Sequence, residues 1–147
     1  MTRTIMIVVA AISLVGPTAQ AGNSENSGAA LSGPFVGRYK ATLTQAQAAG
    51  LGDWRMTGKF SLVIRRNGTY TVSNPLDGRI NGKVAALANR RLRFYEDTGC
   101  LAGGFERDEG GTYRWSVKPG QLILRLVSEG PCTGRTQSLT YPVWKRV

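Results

Sequence analysis

From Phe35 to the C-terminus, apolar and polar residues alternate with a period of two in one short run after another. That is the pattern of strands with one buried and one wet face. Phe35, Gly37, Tyr39 and Ala41 share a face against Arg38 and Lys40, and Phe60, Leu62 and Ile64 do so against Lys59, Ser61 and Arg65. The same rhythm places Tyr70 and Val72 inward, then Ile80, Gly82 and Val84, then Leu92 and Phe94 between the outward Arg91 and Arg93. Three further strands are expected to turn in Tyr113, Trp115 and Val117; Leu122, Leu124 and Leu126; and Leu139, Tyr141 and Val143. No window of a dozen residues carries a strong 3.6-residue apolar period; the best helical candidate is Thr44 to Leu51.

Eight such strands fit a two-sheet sandwich or a closed barrel, and the connections favour the barrel. Asn67-Gly68 reads as a two-residue hairpin with positive φ at both central positions. Lys118-Pro119-Gly120 reads as a second tight turn, and Asn89 marks a short link. The remaining connections are expected to be long: Thr44 to Arg55, Asn74 to Gly78, Asp97 to Gly111 and Ser128 to Thr136. Successive loops of an up-and-down meander alternate between its ends, so the long connections gather at one mouth. The expected fold is therefore all-β, an eight-stranded antiparallel up-and-down β-barrel, whose interior is either filled by side chains or holds one small ligand.

The N-terminus carries a different signal. Arg3, an apolar stretch from Ile5 to Val15 and the small-x-small sequence Ala19-Gln20-Ala21 have the layout of a signal peptide, residues 1–21, with cleavage after Ala21. The apolar run is about half the roughly 20 residues that a spanning helix needs. Residues 22–33 lack periodicity and read as a flexible leader, leaving residues 34–147 for the barrel domain. The protein is expected to be exported, to the periplasm or outside the cell, with no transmembrane segment in its mature chain. In that oxidising setting Cys100 and Cys132, the chain's two cysteines, are expected to form a disulfide between two loops on the same rim.

Composition removes whole classes of chemistry. The 147 residues include no histidine, which excludes Ser-His-Asp and Cys-His catalysis and histidine-ligated zinc. Nothing points to a cofactor or a metal, and the expected role is binding, not catalysis. Glu106, Asp108 and Glu109 offer oxygen ligands for calcium, but their spacing matches no EF-hand, and a solvated loop explains them better. Asn67-Gly68-Thr69 fits a glycosylation sequon, which the hairpin already accounts for.

Gly37-Arg38-Tyr39 on the first strand, followed by a long first loop, is similar to the Gly-x-Trp start of lipocalins, with Tyr39 in the Trp position. The stretch from Tyr113 to Arg146, with its Tyr-Arg-Trp strand, Gly-Gln-Leu-Ile-Leu hairpin, Pro-Cys-Thr-Gly-Arg rim and terminal Trp144-Lys145-Arg146, resembles secreted bacterial lipocalin-like (calycin-type) domains. The resemblance implies a basic residue near the last strand packed over the first-strand aromatic, with Arg146 the match and Lys145 second. It also implies an apolar pocket open at the long-loop end.

The expected ligand-binding residues are the inward aromatics Tyr39, Phe60, Tyr70, Phe94, Trp115 and Tyr141, joined by Tyr113 in the lining. Their occupant would be a small, largely apolar molecule oriented by a tyrosine hydroxyl. With the barrel filled instead, the long rim loops become the working surface of a secreted protein-interaction or inhibitor module. Lys and Arg total 19 against 9 Asp and Glu. Arg38, Lys40, Arg65, Arg66, Arg90, Arg91, Lys118, Lys145 and Arg146 are expected at the closed end, and the acids near the mouth. That end suits an anionic surface, with steep salt dependence; no motif for specific nucleic-acid recognition accompanies it.

Overall fold

Each alternating run between Gly37 and Ser128 becomes a strand, because only a sheet presents successive side chains to opposite faces. The computed structural model describes residues 30–76, 78–98, 110–130 and 132–147. Its strands are β1 (Gly37–Leu43), β2 (Gly58–Ile64), β3 (Thr69–Asn74), β4 (Gly78–Leu87), β5 (Arg91–Thr98), β6 (Gly111–Lys118), β7 (Gln121–Ser128) and β8 (Trp144–Arg146). They pair antiparallel in sequence order, and β8 returns to β1 through Tyr39 opposite Arg146 and Lys40 opposite Lys145, closing an eight-stranded up-and-down barrel.

The interior is built from the residues the alternation selects. Tyr39, Phe60, Leu62, Ile64, Tyr70, Val72, Ile80, Val84, Leu92, Phe94, Tyr113, Leu122 and Leu124 are all buried. Each side chain of this size contributes on the order of 2 kcal/mol by leaving water. Val117 and Leu126, also expected inside, are instead exposed.

The β1–β2 connection carries helix α1 (Gln45–Gly50) and a 3-10 turn (Trp54–Met56). Thr44 caps α1 through a reciprocal pair: its hydroxyl accepts from the Gln47 amide at 3.3 Å, and the Gln47 side chain accepts from the Thr44 amide at 2.8 Å. Ala48 and Met56 drop from these segments into the core.

Several expectations need correction. The eighth strand is not built on Leu139, Tyr141 and Val143: residues 133–140 form helix α2 (Thr133–Thr140), and β8 begins at Trp144. Pro142 has no amide to give to a ladder, and the inward position belongs to Trp144, fully buried with Nε1 donating to the Leu139 carbonyl at 3.0 Å. The β3–β4 link is short, lying between Asn74 and Gly78. The β2–β3 turn has three residues. The Gly68 amide donates to the Arg65 carbonyl and the Arg65 amide to the Thr69 carbonyl, with positive φ at Gly68 (77°) but not at Asn67. That is the three-residue hairpin with a glycine bulge. Paired positive φ values occur at Asn89 (60°) and Arg90 (55°).

The base of the barrel is closed by the chain that precedes β1. Leu31 donates its amide to the Arg66 carbonyl at 2.7 Å, and Phe35 packs on Trp115 with ring centroids 5.3 Å apart. The expected signal peptide (residues 1–21), most of the expected leader, Cys100 and the acids at 106, 108 and 109 lie outside the described residues.

Candidate functional site

The mouth of the barrel is where the chain departs from its own alternation. Between β4 and β5, Lys83 pairs with Tyr95 and Asn81 with Thr98, so β5 carries one extra residue. Glu96 absorbs it at φ 52°, outside the barrel, where its carboxylate meets the Lys83 ammonium at 2.6 Å. A one-residue bulge flips every later side chain to the opposite face. Asp97, expected at the start of a long connection at the mouth, therefore points into the barrel, and its side chain has no solvent contact. Gly82 leaves the space: a Cβ there would collide with the Asp97 carboxylate and lie 2.8 Å from the Tyr70 ring.

Helix α2 supplies the counter-charge. Arg135, Ser138 and Leu139 occupy positions i, i+3 and i+4 and form its buried face. The Arg135 guanidinium forms a salt bridge with Asp97, both side chains wholly enclosed, and its Nε donates to the Tyr113 hydroxyl at 3.3 Å. Tyr70 donates its hydroxyl to Asp97 Oδ1 at 2.5 Å, and the Tyr113 and Thr136 hydroxyls share a hydrogen bond at 2.7 Å. Asn74 Nδ2 donates to the Ser138 hydroxyl at 2.6 Å, and that hydroxyl donates to the Gly134 carbonyl. Burial, reinforced by the neighbouring Asp97 charge, pushes the Tyr70 phenol well above its ordinary pKa, and burial raises Tyr113 as well. Both hydroxyls are neutral at physiological pH.

Beneath this layer the aromatic rings meet edge to face. Phe94 lies 4.7 Å from Tyr70 at 89° and 5.4 Å from Tyr113 at 86°, and Phe60 packs on Trp144. The rings fill space against one another, as native packing density requires. Of the six aromatics expected to bind a ligand, Tyr39, Phe60, Tyr70 and Phe94 are buried inside the barrel. Trp115 is half-buried against Phe35 at the base. Tyr141 sits at the C-cap of α2 and faces an outer groove. Tyr70, Phe94 and Tyr113 form one cluster; Tyr39, Trp115 and Tyr141 stand apart from it.

No protein-family model, curated protein or solved structure matches this chain. Its chemistry is therefore read from its own geometry. Among the described residues no cluster of three metal-ligating side chains occurs, and no helix is long and apolar enough to cross a membrane.

The base is held by a second arginine. Arg146 lies over the Tyr39 ring, Cζ 5.5 Å from the centroid, as the first-strand resemblance implied. Its Nη2 donates to the Pro34 and Val36 carbonyls at 2.8 and 2.7 Å and to the Tyr39 hydroxyl at 3.1 Å. At the rim, Asp53 caps the 3-10 turn. The Arg55 guanidinium bonds both its oxygens and holds its carboxyl below the usual carboxylate range. Beside it Trp54 is 66% exposed.

Sequence reasoning missed Asp97, Arg135, Asn74 and Ser138. Arg135 and Ser138 had a signal, a polar stripe at helical spacing that a search for apolar periodicity passes over. The burial of Asp97 depends on pairing with β4, and its own strand carries no trace of it.

Proposed function

We propose that this chain is an exported, lipocalin-like binding protein, without catalytic activity, whose barrel receives a small apolar ligand at the Tyr70–Phe94–Tyr113 cluster. The observation that carries the reading is the nature of the cover over that cluster. Helix α2 is eight residues long and contains Gly134, three threonines and a serine; no side chain caps its N-terminus, and Leu139 is its one large apolar side chain. Such a helix has little intrinsic stability. It is docked by hydrogen bonds and one ion pair, and exchanging those contacts for water costs less than stripping an apolar interface. Covers of this type come from the low-stability end of a fold. An entering ligand displaces the Arg135 side chain and takes the tyrosine hydroxyls as its polar contacts. The pairing of Cys132 with Cys100 ties the N-terminus of α2 to the β5–β6 connection, so the helix swings without leaving.

Native mass spectrometry of protein prepared through a secretory route tests this, together with displacement of the uncharged fluorophore N-phenyl-1-naphthylamine. A co-purifying mass, or displacement that Phe94→Ala weakens, is expected. An empty spectrum and no fluorophore binding refute the reading. The secretory preparation also reports the processed N-terminus, expected at Gly22.

A second reading, a protein-interaction or inhibitor module acting through its rim, is favoured by Trp54. An exposed tryptophan, with Leu51 on the same connection and Leu76 on the β3–β4 connection also exposed, has the make-up of an interface anchor. Capture of an extracellular partner that Trp54→Ala abolishes, with no ligand in the barrel, replaces the first reading by this one. Retention on an anionic surface is supported by a row of guanidiniums: Arg91 pairs with Arg114 and Arg114 with Arg125 across β5, β6 and β7.

A further inference from the structure

On β1 the alternation that turns Tyr39 and Leu43 inward turns Lys40 and Thr42 out, and on β8 the inward Trp144 leaves Val143 and Lys145 facing out. Helix α1 overhangs this seam, and between them lies a groove of about 650 Å3 on the outside of the barrel. That volume falls in the range of small-molecule sites, roughly 300 to 1,000 Å3. Its apolar wall includes Leu51, Tyr141, Val143 and Val147, of which Val143 is 50% and Val147 67% exposed.

The charged side chains that line the groove are of one sign. Lys40 and Lys145 are direct cross-strand partners, and like charges so placed destabilise a sheet. No acidic side chain lines the groove. Among the described acids, Asp53, Glu96 and Asp97 bond to Arg55, Lys83 and Arg135, and Glu129 is not part of the groove lining. An apolar trough ending at two opposed ammonium groups complements a molecule with an apolar body and one anionic head.

We propose that this groove binds a single-chain amphipathic carboxylate. Its body lies against Leu51, Tyr141, Val143 and Val147, and its head bridges the Lys40 and Lys145 ammonium groups. The site is on the opposite side of the sheet from the Tyr70–Phe94–Tyr113 cluster and does not depend on it. Bound carboxylate relieves the lysine opposition and shields three exposed apolar side chains at once.

Isothermal titration at low ionic strength compares submicellar decanoate with decyltrimethylammonium, which has the same chain and the opposite charge. Decanoate is expected to bind at least about tenfold more tightly, as suits hydrogen bonds to a charged head. Lys40→Gln/Lys145→Gln removes that preference, and Val143→Asp abolishes binding of decanoate. The ligand-free lysine variant is expected to melt about 1–4 °C higher than the parent, because the like-charge opposition is gone. Its loss of binding is then not a loss of fold. Equal binding of the two amphiphiles, or undiminished decanoate binding by the double variant, overturns the proposal. So does binding that ignores the lysines but is lost in Phe94→Ala, which places the ligand inside the barrel. Binding to phosphatidylglycerol vesicles with none to monomeric decanoate also overturns it, in favour of a membrane surface.

Discussion

Arg135→Met probes the fully enclosed Arg135–Asp97 ion pair. The substitution leaves the Asp97 charge inside the barrel with the Tyr70 hydroxyl still donating at 2.5 Å, but without the guanidinium that balances it. Removing one partner of such a pair costs about 3–5 kcal/mol. The Tyr113 hydroxyl also loses a donor, but at 3.3 Å that bond is long and adds little. Against a total of roughly 5–15 kcal/mol for a domain, the loss is a third or more. Asp97→Leu strands the opposite charge at similar cost. Combining both changes with Tyr70→Phe removes the two ions and the hydroxyl that would lose its acceptor. Because desolvation and attraction nearly cancel in an intact buried pair, this triple variant is expected within about 2 kcal/mol of the parent. Urea unfolding with a common m-value gives each free energy and the non-additivity between sites. Single variants costing less than about 1 kcal/mol, or a triple variant whose loss equals the sum of its parts, would refute the claim that this pair fastens α2 over the mouth.

Three further outcomes follow from the same geometry. Gly82→Ala forces a Cβ against the Asp97 carboxylate and to 2.8 Å from the Tyr95 carbonyl; it should cost about 1–3 kcal/mol in urea unfolding, whereas a cost near zero means the bulge can relax. The raised pKa of Tyr70 gives stability that is intact below the unfolded value near 10 and is lost as pH rises through the folded one. Between pH 9 and 11 the parent should therefore lose stability more steeply than Tyr70→Phe, and parallel curves would contradict the assignment. Protein prepared through a secretory route should be two hydrogens lighter than its reduced mass, and Cys100→Ser/Cys132→Ser should lose about 3–4 kcal/mol; an unchanged mass on reduction rules the bond out.

Seven strands were legible because each carries two or more inward side chains in series, and a period cannot be seen with fewer. β8 has one, Trp144, in three residues, so the apparent period of Leu139, Tyr141 and Val143 displaced it. That period is accidental: Leu139 faces the core from a helix, Tyr141 caps that helix and Val143 faces out. The inward aromatics Tyr39, Phe60, Tyr70 and Phe94 were readable from their strands alone, whereas their grouping was not. Edge-to-face contact of Tyr70 with Phe94 depends on which strands become neighbours. Asp97 needed a register to be known first. The bulge exists only relative to β4, and its sole local trace is a glycine opposite Tyr70.

Two arginines close the two ends of the barrel by different physics, and the difference bears on which end opens. Arg146 faces carbonyls and the Tyr39 hydroxyl, stacks on the Tyr39 ring and needs no counter-ion in the interior. Its bonds reinforce β8, whose own pairing with β1 amounts to two residues, so loosening Arg146 opens the seam of the barrel itself. Arg135 is held by a carboxylate taken out of water, where attraction and desolvation nearly cancel, so the contact is specific but contributes little net stability. What it fastens is a short helix with one large apolar anchor, and every strand pairing among the seven longer strands survives its departure. The cheaper opening is therefore at the mouth, above the aromatic cluster. The base, backed by Phe35 on Trp115 and by the Arg146 bonds, is the more firmly held end.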